Sequence, residues 1–230
     1  MSERSKRTVL DNLAAIREGV ANASTRVGRD PDTVTIVAAG KTVEPEALRW
    51  VVEAGVPHLG ENYLQELRAK RDHVAGATWH FIGTLQRGTA HHVAELVDVL
   101  ETAVPGRALV RLARRAAATG RSVPALVEVD FTGERSGVPP DGVLEACDEV
   151  ARTDGLRLVG LMTLPPLTPD AERARPYFVM LRELRERVRE RHPGASELSM
   201  GMSLDYEVAV EEGATMVRIG TALFGERPPR

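Results

Sequence analysis

Cysteine is almost absent from this chain. Cys147 stands alone among 230 residues, so no internal disulfide can form, and a reducing, cytoplasmic setting is the expected one. Its place in VLEACDEVAR has helical spacing, which points to a buried structural thiol and away from a nucleophile. No apolar run approaches the length of a membrane span, and MSERSKRTVLDN lacks the apolar core of a signal peptide. Neither sign of charge is in large excess. A formal net charge of −3 gives no nucleic-acid footprint and no polybasic membrane patch. Metal-binding patterns are missing too: the chain has no HExxH, no CxxC pair and no His–carboxylate set at ligand spacing, so no metal is expected. Gly40-Lys41-Thr42 looks superficially like the end of a nucleotide-binding loop. That loop needs a further glycine where this chain has Thr35, inside an apolar run, so a P-loop is excluded.

Lysine is the most informative scarcity. The chain has 30 basic residues, and only Lys6, Lys41 and Lys70 are lysines. Lys6 sits in a polar N-terminal stretch and Lys70 on a charged helix, AKRD. Lys41 ends the apolar run TVTIVAAGK. Where arginine is the default cation, a lysine at a strand end invites a chemical reason, because lysine can attack a carbonyl and arginine cannot. A strand-end lysine with its head in water is the plain alternative, and composition does not separate the two.

Against these absences stands a regular alternation. Helical spacing over Thr8 to Val27 is stopped by Gly28 and Pro31. Strand-like runs follow at Val34–Ala39, His58–Gly60, Thr78–Ile82, Leu96–Leu100, Ala125–Val129, Arg157–Leu161, Glu197–Ser199 and Met216–Ile219. Amphipathic stretches lie between them: Glu46–Ala54, Tyr63–Arg71, Gly88–Ala94, Gly106–Ala118, Asp141–Arg152, Ala171–Arg191 and Leu204–Glu211. Eight strand–helix units in 230 residues predict an α/β fold, a single (β/α)8 TIM barrel over residues 1–230 with an extra N-terminal helix. An open doubly wound sheet is the alternative, but its Gly-rich phosphate turn after the first strand is missing. The charged run ERARPYFVMLRELRERVRERH carries an apolar stripe of Tyr177, Leu181, Leu184 and Val188, and reads as a solvated outer helix. The ERPPR end reads as a short disordered tail.

In such a barrel the active groups sit at the C-terminal ends of the strands. Lys41 follows the first strand there, and Gly60-Glu61-Asn62 follows the second. Ser199-Met200-Gly201-Met202-Ser203 follows the seventh strand and Gly220-Thr221 the eighth. Barrel phosphates are often held by these last two loops. Gly201 and Gly220 would let backbone approach an anion, and Ser199, Ser203 and Thr221 would supply hydroxyls. Ser203 can equally cap the helix LDYEVAV. Arg218, inside MVRIG, needs a buried partner, either a carboxylate such as Glu128 or a ligand atom. His80 alternates with Trp79 and Phe81, and the pattern leaves open which face it takes.

Taken together and in order, AAGKT, HLGENYLQE, WHFIGTLQ, GLMTLPP and SELSMGMSLDYEVAVEEGATMVRIGTALFG resemble the pyridoxal phosphate homeostasis proteins, which share the barrel of the alanine racemase N-terminal domain. The resemblance spans nearly the whole chain. It implies pyridoxal 5'-phosphate (PLP) held as a Schiff base on Lys41, with the phosphate on Ser199, Gly201, Gly220 and Thr221. It further implies Arg218 against the pyridine nitrogen and Asn62 nearby. Gly40 stands where the family usually has serine, and Arg87-Gly88-Thr89 where it usually has Asn-Lys; the segment DFTGERSGV is shorter than in many members. An arginine at the ring nitrogen makes the ring a weak electron sink. Racemases of this fold add a second domain carrying a catalytic tyrosine, which this sequence does not show. The expected role is therefore a monomeric carrier or buffer in vitamin B6 homeostasis, with apo PLP-dependent enzymes as candidate recipients and no catalytic residue assigned. The alternatives are a weak PLP-dependent amino-acid racemase and a cofactor-free Schiff-base aldolase acting through Lys41.

Overall fold

A computed structural model of the protein describes residues 3–226. Eight parallel strands close in sequence order: β1 (Thr35–Ala39), β2 (His58–Glu61), β3 (Thr78–Phe81), β4 (Val99–Ala103), β5 (Val123–Val129), β6 (Leu156–Thr163), β7 (Glu197–Ser199) and β8 (Met216–Ile219). The first and last strands pair in register, Thr35 with Met216 through Ala38 with Ile219, which removes both sheet edges. Around them lie α1 (Glu3–Arg26), α2 (Pro45–Glu53), α3 (Leu64–Arg71), α4 (Ala90–Leu96), α5 (Arg107–Ala118), α6 (Val143–Arg152), α7 (Arg175–Arg191), α8 (Tyr206–Glu211) and α9 (Thr221–Phe224). The expected (β/α)8 barrel with an added N-terminal helix is the observed fold. Most of the anticipated ERPPR tail, residues 227–230, lies outside the described residues.

The main core fills the layer between strands and helices. On α5, Leu109, Leu112, Ala113 and Ala116 recur at helical spacing and are all buried. Truncating a fully buried member such as Leu112 to alanine costs about 2–5 kcal/mol. Trp79 and Phe81 of β3 join this outer layer, so His80 between them faces the barrel interior, by the two-residue period of a strand. A small separate cluster of Leu126, Val159 and Met162 fills part of that interior.

Several boundaries differ from expectation by a few residues, and two of them are instructive. The apolar run at Leu96–Leu100 suggested a strand, but α4 continues through Leu96 and β4 runs Val99–Ala103. Glu101 and Thr102 disguised the strand, because their polar atoms are satisfied only by distant partners: Glu101 by His80 and Ser199, Thr102 by the Gly83 carbonyl. The helix anticipated from Asp141 begins at Val143, after a 3₁₀ turn at Pro140–Gly142 in which the Gly142 N–H donates to the Pro139 carbonyl at 2.9 Å.

Candidate functional site

Lys41 projects from the turn that leaves β1 and is half-buried, with Nζ 5.4 Å from the centre of the Tyr63 ring. Its backbone is tightly held. Thr42 adopts φ 62°, a left-handed conformation rarely tolerated by a residue with a branched side chain. The Thr42 N–H donates to Glu66 Oε2 at 2.7 Å, and the Gly40 N–H to the Gly60 carbonyl at 2.8 Å.

The third lysine is what holds this turn. The sequence placed Lys70 on a charged helix face, yet it is only 6% exposed. Its Nζ donates to the Gly40 carbonyl at 2.7 Å, to Glu61 Oε1 at 2.7 Å and to Glu66 Oε2 at 2.8 Å. The scarcity of lysine that singled out Lys41 applied equally to Lys70, and a compact ammonium with three donors fits this three-acceptor pocket where a planar guanidinium would not. Glu61 is fully buried, and burial pushes its carboxyl above the ordinary range; the charge and hydrogen bond of Lys70 oppose that rise. The same carboxylate accounts for Gly40: a Cβ there would stand 2.8 Å from Glu61 Oε1 and 3.2 Å from Leu48 Cδ2. Asn62, next along, donates its side-chain amide to the Ile82 carbonyl at 3.4 Å.

Across the mouth, the loops after β7 and β8 meet. Gly201 has φ 90°, and a Cβ on it would lie 2.5 Å from Ala209 Cβ and 3.1 Å from Tyr206 Cα, so only glycine lets the loop pass there. Its carbonyl accepts from the Arg218 N–H at 2.9 Å. Ser203 does not cap its own helix: Asp205 precedes α8 instead and accepts from the Met202 N–H at 2.6 Å. Ser203 Oγ accepts from the N–H groups of Gly220 (3.2 Å) and Ala222 (3.1 Å), which bridges the two loops. Thr221 opens α9 and is exposed. The rim thus brings the Ser203 hydroxyl, the N–H groups of Gly220 and Ala222 that it bridges, the exposed Thr221 and the bare backbone of Gly201 together at one end of the barrel, group types that can bind a phosphate.

Ser199 and Arg218 lie below this rim. Ser199 is fully buried; its hydroxyl donates to Glu101 Oε2 at 2.5 Å and accepts from Arg218 Nη1. Its Oγ is therefore committed to the barrel interior, unlike the hydroxyls of Ser203 and Thr221. Arg218 Nη2 donates to the Thr163 carbonyl at 2.8 Å, and the carboxylate nearest to the guanidinium among its ion pairs is Glu101, at 3.7 Å, rather than the anticipated Glu128. Glu128 is one of the acids that attract Arg218, together with Glu101 and Asp205. Burial pushes the carboxyls of Glu128 and Asp205 upward. A recess of about 290 Å³ opens at the mouth between Thr84, Thr102, Arg107 and Glu128. Of the groups that position the site, Lys70 and Glu101 were not singled out by the sequence, and Glu61 was placed at the mouth without a role. The signal for the last two was a charged residue inside a strand.

Residues 12–228 match the family model for the alanine racemase N-terminal domain. The pyridoxal phosphate homeostasis protein of Aquifex aeolicus is 37% identical over 222 residues, covering 94% of this chain and 97% of the relative. That of Pseudomonas aeruginosa is 38% identical over 224 residues, covering 96% of each. Among solved structures, PipY of Synechococcus elongatus with PLP bound is 30% identical with a TM-score of 0.83, covering 94% of this chain and all of that one (100%). An alanine racemase of Clostridium difficile, 16% identical with a TM-score of 0.74, shares the fold; the match covers 96% of this chain and 58% of the racemase. On fold, length and sequence, the chain belongs to the pyridoxal phosphate homeostasis proteins, within the alanine racemase N-terminal domain family.

Proposed function

We propose that the protein holds pyridoxal 5'-phosphate at the barrel mouth, joined to Lys41, and takes part in its homeostasis as a carrier rather than as a dedicated catalyst. One observation carries this reading: a chemically distinctive amine leaves β1 on a braced turn, while the β7 and β8 loops, bridged by Ser203, meet at the same end of the barrel. When bound, PLP supplies an aldehyde that combines reversibly with amines and a pyridine ring that can accept electron density. Lys41 contributes Nζ as the point of attachment. Gly201, Ser203, Gly220 and Thr221 hold the phosphate, with Ser199 acting beneath them through Arg218. Asn62 borders the ring. Arg218 keeps its own proton and presents it toward the ring nitrogen, which disfavours protonation there and suits storage better than turnover.

The placement of the tyrosines supports carriage. Tyr177 packs against Phe131, with ring centres 6.2 Å apart, and the Tyr206 hydroxyl lies against Gly19 of α1. Tyr63 is at the mouth, on the Lys41 side. Two-base racemisation needs a second acid–base group on the opposite face.

Borohydride reduction followed by peptide mass spectrometry tests the reading. A pyridoxyl group should appear on Lys41 and be lost in Lys41→Ala, whose circular dichroism should match wild type. An adduct that persists in that variant refutes the assignment. Chiral chromatography after incubation with alanine or serine enantiomers separates carrier from enzyme: stoichiometric cofactor without enantiomer exchange is the expected result, and turnover overturns the carrier role. Delivery to apo PLP-dependent enzymes, by a monomeric protein in the cytoplasm, is part of the same proposal. It predicts faster reconstitution of an apo-enzyme by the loaded protein than by the same loaded protein confined behind a dialysis membrane.

A further inference from the structure

The barrel interior contains a line of polar groups that neither the Lys41 turn nor the phosphate rim requires. His58 Nδ1, at the start of β2, lies 2.9 Å from His80 Nε2. His80 Nδ1 lies 2.7 Å from Glu101 Oε1. Ser199 Oγ–H donates to Glu101 Oε2 at 2.5 Å, and Arg218 Nη1 donates to Ser199 Oγ. His80, Glu101 and Ser199 have no exposed surface, and Arg218 is 4% exposed. Burying such charges is costly, and Leu126, Val159 and Met162 show that apolar side chains can fill the same lumen. Packing therefore does not explain the line.

Its hydrogen bonds have a direction. Arg218 can only donate, so the Ser199 hydroxyl proton is free to go to Glu101. Glu101 accepts on both oxygens, so His80 donates from Nδ1 and accepts at Nε2 from His58. Every proton in the line points toward the Glu101 carboxylate. Burial alone would push this carboxyl up, but the hydrogen bond from His80, the charge of Arg218 and the Ser199 bond outweigh it and hold it below the ordinary range.

We propose that Glu101 is a positioning residue for Arg218: as the common acceptor of the line, it locks the guanidinium through Ser199 so that its remaining N–H donors face the mouth in one orientation. The inference rests on the reading that the PLP ring nitrogen lies against Arg218. An amide at position 101 removes the charge that strengthens both bonds made there, so the grip on Ser199, and through it on Arg218, loosens.

The sign of the effect separates positioning from simple electrostatics. Removing a negative charge would by itself make a protonated ring nitrogen less stable. Releasing the arginine that blocks protonation would make it more stable. The other charged groups around Arg218 are Asp205, Glu128 and Arg135, with His58 beyond His80, and all stay in place in the variant. Glu101→Gln and Glu101→Asp are loaded with PLP, checked for the Lys41 adduct by borohydride trapping, and titrated by the visible absorbance of the bound cofactor. We expect the midpoint in Glu101→Gln to rise by about one pH unit or more, and Glu101→Asp to return toward wild type. A midpoint that falls or stays put, with the adduct formed, overturns the positioning role and leaves the binding reading intact. Ser199→Ala, which cuts the bridge and keeps the carboxylate, should shift the midpoint the same way and serves if Glu101→Gln does not fold. A second measurement needs no cofactor. In the apo protein, Arg218 side-chain N–H exchange should speed up about tenfold or more in both Glu101→Gln and Ser199→Ala. Unchanged exchange defeats the proposal whether or not PLP binds.

Discussion

Replacing Lys70 by methionine keeps the aliphatic stem and removes the ammonium. Three acceptors then lose their donor at once: the Gly40 carbonyl, Glu61 and Glu66. Glu61 suffers most, because it is fully buried and its Oε2 already has no hydrogen-bond partner among the described residues. Breaking a buried pair by deleting one partner typically costs about 3–5 kcal/mol, against a total stability of about 5–15 kcal/mol for a domain. At about 2–4 °C per kcal/mol for a chain of this size, the melting temperature should fall by roughly 6–20 °C.

The loss should depend on pH in a defined direction. Burial raises the Glu61 carboxyl above its ordinary value of 4.5, and Lys70 restrains that rise. Without Lys70 the carboxyl goes higher still. A carboxyl raised in the folded state binds more protons there than in the unfolded chain, so stability is fully present below the unfolded value and is lost as pH rises through the folded one. The gap between wild type and Lys70→Met should therefore be smallest in acid, near pH 4, and widen toward pH 8. Urea midpoints followed by circular dichroism at several pH values measure it. A gap below about 1 kcal/mol at pH 8, or one that widens on acidification, would refute the view that Lys70 neutralises a buried carboxylate.

Three further outcomes are expected. Gly201→Ala forces a side chain onto a φ of 90° and into Ala209, and should cost about 1–3 kcal/mol in urea unfolding and weaken PLP binding measured by equilibrium dialysis. The Cys147 thiol is buried and pushed up to about 12, so at pH 8 it is thiolate only to the order of 10⁻⁴; a disulfide reagent should label one thiol after denaturation and essentially none before. Glu128→Gln removes a carboxyl that burial raises, so the variant should gain stability relative to wild type as pH climbs and match it in acid, with urea midpoints again the measure.

The alternation of short apolar runs and amphipathic stretches was enough to give the barrel. β7 and β8 begin and end where the pattern put them, because apolar residues there face a layer the local sequence already implies. β4 was misplaced for the opposite reason: Glu101 and Thr102 become tolerable inside a strand only once His80, Ser199 and Gly83 arrive from other parts of the chain. The site divides the same way. Residues at strand ends, such as Lys41 and Gly220, can be read from position. The burial of Lys70 cannot, because its three acceptors lie 30, 9 and 4 residues away and the helix carrying it is polar. Ser199 looked like a rim hydroxyl because it ends β7. Two-residue strand periodicity turns it inward instead, between Glu101 and Arg218.

The two cations of the site are supported in opposite ways. Arg218 has its head fixed, by Ser199 and the Thr163 carbonyl, within a fully buried surround. Lys41 has its backbone fixed and its head loose: Lys70 grips the preceding carbonyl and Glu66 the following N–H, while Nζ, among the described residues, makes only the contact with Tyr63 at 5.4 Å. Such a contact is worth about 0.5–1 kcal/mol at an exposed position, little enough to yield to any reacting carbonyl. A group that must form and break a bond needs a free end on a fixed base, whereas a group that only presents a proton needs its end fixed. Stiffening the Lys41 head with a new carboxylate, for instance Tyr63→Glu, should therefore slow adduct formation in rapid-mixing absorbance, while a change that leaves the amine free, Tyr63→Leu, should slow it much less. Equal rates in the two variants would show that freedom of the amine is not what the turn protects.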